Sequence, residues 1–355
     1  MTGLASTWMT EGAVLTVHRW VRIMGGLFVA SVGVFVLCLQ FGATSIELRT
    51  IVAAFSHSLH GDYAELGTSE MIITQIRFPR VLLGFLAGGS LAAVGVALQA
   101  LLRNPLADPY VLGVSSGSSL FVSLAMLAGI GSIVAWLPTL PIFGFLGGFL
   151  ALLLIYRLAQ SRGRLPIHSL LLAGVILNAI LTAFIMFITA IMEPNRSAGL
   201  MTWLMGALTA PSSPALTVFV AYVLLVIGAL LRKAHTLNVL TLGEETARSL
   251  GVETEVVKKQ LFILTALLTG AIVSVSGMIG FVGLVVPHAV RLVIGSDHRL
   301  LLPASILVGG MFLAMADAMA RTILAPAEIP VGIVTALLGG PFFLYLLLWR
   351  KDRMF

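Results

Sequence analysis

The sequence contains very little charge. Only 10% of its 355 residues are Asp, Glu, Lys or Arg, whereas 59% are hydrophobic, and the mean hydropathy is +1.05. About a quarter of the residues in an ordinary soluble domain are charged, so this composition excludes a soluble globular protein. The chain is therefore expected to lie in a lipid bilayer.

The usual signatures of an enzyme or a self-sufficient pump are also missing. The single cysteine, Cys38, cannot form an internal disulfide. None of the lysines completes a GxxxxGK[ST] motif, which excludes ATP binding by a P-loop. The histidines are dispersed and neither HExxH nor GxSxG occurs, so no metal or other cofactor is expected. These absences favour a transport subunit driven by a separate motor.

Carboxylates that could relay an ion are nearly absent from the apolar runs. Asp317 is the one clear candidate, and it stands four residues before Arg321. An ion pair on a helix surface is the simpler interpretation of that spacing. An ion-coupled secondary transporter nevertheless remains an alternative from a different functional class.

Long uncharged runs are what the sequence has instead. A spanning helix needs about 20 apolar residues, and the uncharged runs are 23–46, 81–102, 109–156, 165–192, 197–231, 260–290, 300–316 and 329–349. A break at WLPTLP (136–141) and a helix pair in 260–299 give about ten crossings. The runs do not alternate as a transmembrane β-barrel requires. We therefore predict an all-α membrane protein, with residues 1–355 forming one transmembrane domain and an uncleaved first helix.

Basic residues indicate the orientation. If both termini are cytoplasmic, all but five of the 21 Lys and Arg residues lie on the inner side. The five on the outer side are Arg49, Arg77, Arg80, Arg196 and Arg321. This asymmetry follows the positive-inside rule. The net charge of +6 thus reflects topology and contact with anionic lipid, and no nucleic-acid module is expected.

One inner segment is unusually polar. TLGEETARSLGVETEVVKK (241–259) lies between the sixth and seventh predicted spans, within a cytoplasmic segment that we bound at 233–257. Thr241 followed by Glu244 fits a capping box, and Gly251 fits the position that ends a helix, so 242–250 is predicted to be helical. Leu242, Thr246 and Leu250 would share one face, and Glu244 with Arg248 would pair on another. From this pattern alone the segment is either a solvated connector or a docking element.

A possible internal repeat has an offset of 182 residues. Gly88, Gly95, Pro105 and Gly113 recur as Gly270, Gly277, Pro287 and Gly295. The helices that carry them cross in opposite directions, as inverted repeats of transporters do. Close helix packing through small residues is the alternative.

Four long motifs carry a family resemblance. RFPRVLLGFLAGGSLAAVGVALQALLRNPLADPYVLGVSSG (77–117), LGEETARSLGV (242–252), GFVGLVVPHAVRLVIGSDHRLLLPASIL (280–307) and ADAMARTILAPAEIPVGIVTALLGGPFF (316–343) closely resemble the FecCD family. These proteins are permeases of bacterial ABC importers for iron-siderophores, haem and cobalamin. The resemblance implies a type II importer fold, a homodimer, two cytoplasmic ATP-binding cassette subunits and a periplasmic substrate-binding protein. It implies transport, most often of an iron-siderophore, across the inner membrane, with haem or cobalamin as alternative cargo.

The resemblance also assigns roles to residues. It implies that the ATPase is coupled through Leu242, Gly243, Glu244, Glu245, Thr246, Ala247, Arg248, Leu250 and Gly251. Binding-protein docking would use Arg77, Arg80 and Arg321, whose alternative role is to anchor the chain at the lipid headgroups.

A cytoplasmic gate is implied at Asn104 and Leu106. Ile167 and His168 fall where the cobalamin-type members carry small hydroxyl residues, which is a departure from the family pattern. His168 is either a haem contact or a helix-cap residue. Cargo would pass along a two-fold axis lined by 168–190 and 329–349, with Asn178 as a polar group in an otherwise apolar pathway.

Overall fold

The computed structural model describes residues 15–42, 44–60, 67–130, 139–161, 164–209 and 213–349. These ranges hold fifteen α-helices. In chain order they are α1 (Val17–Gln40), α2 (Leu48–His60), α3 (Thr68–Met71), α4 (Phe78–Leu101), α5 (Val114–Leu127), α6 (Thr139–Ala159), α7 (Ile167–Ile191), α8 (Pro194–Leu204), α9 (Ser213–Leu231), α10 (Ala234–Thr241), α11 (Glu244–Ser249), α12 (Thr254–Ser276), α13 (Val282–Ile294), α14 (His298–Thr322) and α15 (Val331–Trp349). A π-helical segment, Ile72–Arg77, joins α3 to α4, and the 3₁₀ turn Pro109–Leu112 precedes α5.

Seven helices of the described ranges are long and apolar enough to cross a membrane, with Thr68–Leu102 counted as one. Shorter apolar helices correspond to α5, α13 and α15, which brings the set to ten. The prediction of an all-α membrane protein with about ten crossings is confirmed. The predicted helix pair in 260–299 is present as α12 and α13. The predicted break at 136–141 lies partly outside the described residues, and α6 begins at Thr139.

Helix α4 forms the centre of the fold. In the most apolar stretch of the span Thr68–Leu102, which contains α4, 83% of the residues are buried, compared with 17% in the corresponding stretch of α1. It packs against α12, α13 and α14. A Cβ atom on Gly88 would lie 2.1 Å from the Gly309 oxygen, and one on Gly95 would lie 1.8 Å from the Gly283 oxygen. Only glycine allows the backbones of α14 and α13 to come so close to α4.

Helices α7 and α15 have the opposite character. Large apolar side chains are exposed along both helices, including Phe184, Phe187, Leu337, Leu344 and Leu348. Exposed apolar surface of this extent requires lipid or another protein surface as its neighbour.

Four helices were not predicted. Helices α2 and α3 lie between the first two predicted spans, α8 interrupts the apolar run 197–231, and α10 precedes the predicted helix 242–250. All four are too short or too polar to give the signal of a spanning helix.

Local structure agrees in two of the four predicted repeat pairs. Gly88 and Gly270 both lie inside long helices, and Gly113 and Gly295 both have positive φ. The other pairs differ, for example because Pro105 lies in a turn whereas its counterpart lies inside α13. The inverted repeat stays a prediction.

Candidate functional site

The polar segment between α9 and α12 folds into two short helices. Helix α10 ends at Thr241, and Gly243, with φ of 113°, separates it from α11. Gly251, with φ of 83°, follows α11 directly after Leu250 and ends the helix as predicted. These φ values are strained for residues with a Cβ atom, so the two glycines set the limits of α11.

The predicted capping box is wrong. Thr241 is the last residue of α10, and its hydroxyl donates a 2.7 Å hydrogen bond back to the Asn238 oxygen. Gly243 therefore occupies the N-cap position of α11 without a side-chain cap. The helix is also shorter than predicted, Glu244–Ser249 in place of 242–250, because the backbone of Gly243 is not helical.

One face of the segment is exposed as the spacing predicts. Leu242 is 63% exposed and Leu250 is 61% exposed, and Thr246 between them is exposed as well. We call these three residues the docking face. Ala247 points the other way and is fully buried, while Glu245 is exposed beside the face. The two exposed leucines flank α11, one on each side, and form an apolar contact surface with no partner among the described residues.

Four charged side chains attach α11 to α12, and we call them the coupling ion cluster: Glu244, Arg248, Glu255 and Lys258. The predicted Glu244–Arg248 pair is present at 3.4 Å, and Arg248 also lies 3.6 Å from Glu255. Lys258 lies 3.3 Å from Glu244 and 2.7 Å from Glu255. The charges alternate in sign, so each side chain has two opposite neighbours, and together they hold α11 against α12.

The same cluster reaches the chain segment that precedes α7. The Nζ atom of Lys258 donates to the Leu165 oxygen at 3.2 Å, and the Leu165 amide donates to Glu255 at 2.9 Å. Lys258 is only 4% exposed. Leu165 stands two residues before Ile167, where α7 begins. The docking face is thus joined, through α12, to the start of the predicted pathway helix.

The sequence interpretation missed Glu255 and Lys258 as functional candidates. Their i,i+3 spacing was a signal for a helical ion pair. Their contacts with Leu165 had no such signal, since they join residues 90 and 93 positions apart.

The predicted gate residues lie in two places. Asn104 and Leu106 lie in the exposed turn after α4, where the Asn104 side-chain oxygen accepts the Leu106 amide at 2.9 Å. Ile167, at the start of α7, packs against the core, and His168 next to it is exposed.

Asn178, the predicted polar group of the pathway, lies on α7, and its pathway role stays a prediction. It is half-buried, and its side-chain oxygen accepts a hydrogen bond from the Ser116 hydroxyl. Asn178 therefore connects α7 to α5.

A cavity of about 560 Å³ separates the gate turn from the coupling segment. Asn104, Leu242, Arg291 and Asp297 are among the residues that line it. Arg299 donates to the Asp297 carboxylate at 2.6 Å, and Asn238 of α10 donates to it at 2.8 Å. These bonds, chiefly those from Arg299, hold the pKa of Asp297 well below its usual value, despite partial burial. The Asp297 carboxylate thereby links α10 to the beginning of α14.

The predicted docking arginines lie mostly in the interior. Arg77 is 4% exposed and donates to the Leu39 and Gln40 oxygens, both at 2.9 Å, and to Thr44. Its guanidinium holds the chain that follows α1 against α4.

Arg80 and Arg321 share one carboxylate. Arg321 lies 2.9 Å and Arg80 3.0 Å from Asp317, which is 1% exposed. Arg80 also pairs at 2.9 Å with Glu328, whose side chain is 53% exposed. The predicted ion pair of Asp317 and Arg321 is present, but its predicted place on the helix surface is wrong, because both side chains are buried against α4 and the end of α1.

Of the three arginines, Arg80 alone has an exposed ion-pair partner. The docking role of Arg77 and Arg321 stays a prediction, and the burial of both guanidinium groups in this conformation counts against it.

Comparisons with known proteins agree with this architecture. The sequence profile described as the FecCD transport family matches residues 28–349. The cobalamin import system permease protein BtuC of Halobacterium salinarum is 42% identical over 292 residues, covering 81% of this chain and 76% of that one. The hemin transport system permease protein HmuU of Yersinia pestis is 42% identical over 283 residues, covering 78% and 83%.

A solved structure is similar over nearly the whole chain. It is of a transporter assigned to the metal-chelate type of ABC transporters, in an inward-facing conformation. The TM-score is 0.78 at 31% identity, and the match covers 93% of this chain and 99% of the other.

Proposed function

The chain belongs to the FecCD transport family, and from this membership we propose that it is the permease subunit of an ATP-driven importer for a metal chelate. It is a multi-pass integral membrane protein and carries no P-loop. In the proposed assembly two copies form the transmembrane unit, two ATP-binding cassette subunits bind on the cytoplasmic side, and a periplasmic binding protein delivers cargo. Both termini lie in the cytoplasm, and the membrane is the bacterial inner membrane.

One observation carries this proposal above the others. The exposed docking face is fixed by the coupling ion cluster to α12 and to the residue two positions before α7. Movement of a partner bound at Leu242 and Leu250 is thereby passed to α7 as a rigid displacement. A rigid connection from an external motor to a pathway helix is what alternating access requires.

The exposed faces of α7 and α15 suit the remaining roles. Their apolar side chains would meet the second copy and line the pathway on the two-fold axis. An apolar lining without fixed charge lets a bulky chelate pass without holding it. Within the class of metal chelates an iron-siderophore is our narrower proposal, with haem and cobalamin as the alternatives that the similar permeases named above suggest.

Arg80 is the best-placed residue for docking the binding protein. Its exposed partner Glu328 can be exchanged for an acidic side chain of that protein, while Asp317 keeps Arg80 in position. Because the new contact would form at a solvated rim, it would act mainly on the association rate.

Uptake into proteoliposomes tests the proposal. The purified chain is reconstituted with its cognate ATPase and binding protein, and radiolabelled ferric siderophore, haem and cobalamin are supplied in turn. We expect uptake of one chelate that requires ATP and every partner. Uptake driven by a proton or sodium gradient without the ATPase would establish the secondary-transporter alternative. The two arginines that pair with Asp317 argue against that alternative, because its carboxylate is already occupied by two guanidinium groups.

A further inference from the structure

The cavity between the gate turn and the coupling segment is lined by more positive than negative charge. Arg103, Arg291 and Asp297 all belong to its lining. Asp297 is already paired, because Arg299 donates to both of its carboxylate oxygens and Asn238 donates to one of them. Neither Arg103 nor Arg291 has an ion-pair partner among the described residues. Two cationic side chains therefore line one cavity without a counter-charge from the chain.

The guanidinium of Arg291 is held by a neutral partner. Its Nη2 atom donates to the Gln99 side-chain oxygen at 3.1 Å. Gln99 is 3% exposed, and its amide nitrogen donates in turn to the Gly283 oxygen at 3.4 Å. Because this amide carries no charge, it positions the guanidinium without neutralising it. The remaining donors of the guanidinium can serve a ligand in the cavity.

The backbone of Arg103 is strained. Its φ is 47°, and Phe281 is the only other non-glycine residue with a positive φ in the described ranges. Such left-handed conformations are unfavourable for a residue with a Cβ atom and are concentrated at functional sites. The exposed side chain extends toward the coupling segment, since its Nη1 atom would lie 3.8 Å from a Cβ atom on Gly243. The strained turn thus places a cation between the gate turn and α11.

The remaining wall indicates the kind of molecule that the cavity can hold. Polar side chains make up most of it: Gln99, Asn104, Asn238, Thr241, Ser296 and His298. None of the lining residues is Phe, Tyr or Trp, the side chains on which nucleotide bases usually stack. The volume of about 560 Å³ falls in the range of small-molecule sites, about 300–1,000 Å³. A small polar anion fits this wall better than a nucleotide does.

We propose that this cavity binds a small oxyanion, a molecule carrying phosphate or carboxylate groups, between Arg103 and Arg291. Arginine binds both kinds of group through paired N–H donors. The two arginines come from the turn after α4 and from α13, so a bound anion would join these elements beside the coupling segment. The site needs neither a particular cargo nor a bound ATPase, and its test is therefore separate from that of the proposed function.

Thermal melts of the full-length chain in detergent measure the binding. Inorganic phosphate, citrate and chloride are added at low millimolar concentrations and matched ionic strength. A ligand that binds only the folded chain raises its melting temperature. We expect phosphate or citrate to do so and chloride to have no effect. A larger rise with phosphate would identify a phosphate group as the ligand, and a larger rise with citrate would identify carboxylate groups.

Three variants locate the site. Arg103→Gln and Arg291→Gln should each weaken the binding about tenfold or more, because each removes a charge-assisted contact. Arg232→Gln removes the same charge from an exposed residue outside the cavity and should bind like the wild type. Arg103 is exposed, so its variant gives a test even if Arg291→Gln is unstable without ligand.

Several results would overturn the proposal. No rise with either oxyanion, or an equal rise with chloride, would show that the cavity selects no oxyanion. Unchanged binding by Arg103→Gln and Arg291→Gln would place the anion elsewhere. Equal weakening by Arg232→Gln would show that the net charge of the chain, and not this cavity, attracts the anion.

Discussion

The Nζ atom of Lys258 lies 3.2 Å from the main-chain oxygen of Leu165, two residues before α7 begins. The same ammonium pairs with Glu244 of α11 and with Glu255 of α12. One buried side chain therefore contacts the helix with the docking face, the helix behind it and the approach to the predicted pathway. We regard Lys258 as the point where motion of the coupling segment passes to α7.

Lys258→Met should uncouple ATP hydrolysis from transport. Methionine retains the length and apolar stem of lysine but cannot bond to Leu165 or to the two carboxylates. Leaving Glu255 and Glu244 partly unpaired should cost about 1–3 kcal/mol of stability. We expect the ATPase to bind and hydrolyse ATP while chelate uptake falls about tenfold or more.

Lys259→Met is the control for that experiment. Lys259 is exposed and lies 5.5 Å above the Tyr156 ring, with no part in the cluster. Its variant should transport normally. Equal uptake by the two variants, measured together with ATP hydrolysis, would remove Lys258 from the coupling route.

Asp317→Asn should strongly destabilise the fold. Two guanidinium groups, of Arg80 and Arg321, would lose their shared carboxylate inside the protein. Breaking a buried pair in this way costs about 3–5 kcal/mol. Glu328→Gln removes only an exposed partner of Arg80 and should cost no more than about 1 kcal/mol. Thermal melts in detergent compare the two variants, and similar melting temperatures would contradict the burial of this cluster.

Arg80→Gln should slow binding-protein docking in a salt-dependent way. Exposed charges steer association, and salt screens them. We expect the association rate to fall about five- to tenfold at low ionic strength and much less at high ionic strength. Arg196→Gln, at an exposed arginine that our proposed orientation also places on the outer side, is the control. Stopped-flow measurements give the association rate at two salt concentrations. A structural defect would lower that rate equally at both, whereas loss of electrostatic steering would lower it mainly at low salt.

Gly95→Ala should disrupt the packing of α4 on α13. The added methyl group would lie 1.8 Å from the Gly283 oxygen, and the helices would have to separate. Such overpacking costs about 1–3 kcal/mol or more. Gly26→Ala in α1 meets nothing within 4 Å and should be neutral or stabilising by up to about 1 kcal/mol. The melting temperature of each variant, compared with the wild type, checks both predictions. An unchanged melting temperature for Gly95→Ala would contradict the close contact between Gly95 and the Gly283 oxygen.

Much of the fold could be predicted because a bilayer imposes length and polarity on each helix. The ten apolar helices, the separation of α12 from α13 and the end of α11 at Gly251 all follow from local signals. Helices α2 and α8 had no such signal, since neither needs to cross the membrane. The start of α11 was mispredicted because the hydroxyl of Thr241 bonds backward to Asn238.

The candidate site was only partly predictable. The Glu244–Arg248 pair follows from helix periodicity within α11. Leu242 and Leu250 are exposed as expected, but they flank the helix, so their exposure does not depend on its periodicity. The contact of Lys258 with Leu165 depends on how α12 packs beside the start of α7, which no local pattern encodes. Burial of Arg77 and Arg321 was missed for a related reason. Arg77 bonds backbone oxygens at the end of α1, which are nearly 40 positions away in sequence. Arg321 bonds Asp317 one turn earlier in α14, and only the packing of that helix shows that the pair is buried.

Co-purification with the cognate ATPase tests the central claim that Leu242 and Leu250 dock an external motor. The measurement compares the wild type, Leu242→Asp with Leu250→Asp, and Lys258→Met, each by the amount of ATPase retained on the affinity-tagged chain. We predict that the wild type and Lys258→Met retain the ATPase in equal amounts, while the double leucine variant loses it. Full retention by the double leucine variant, with intact uptake, would contradict the docking face and the coupling route built on it.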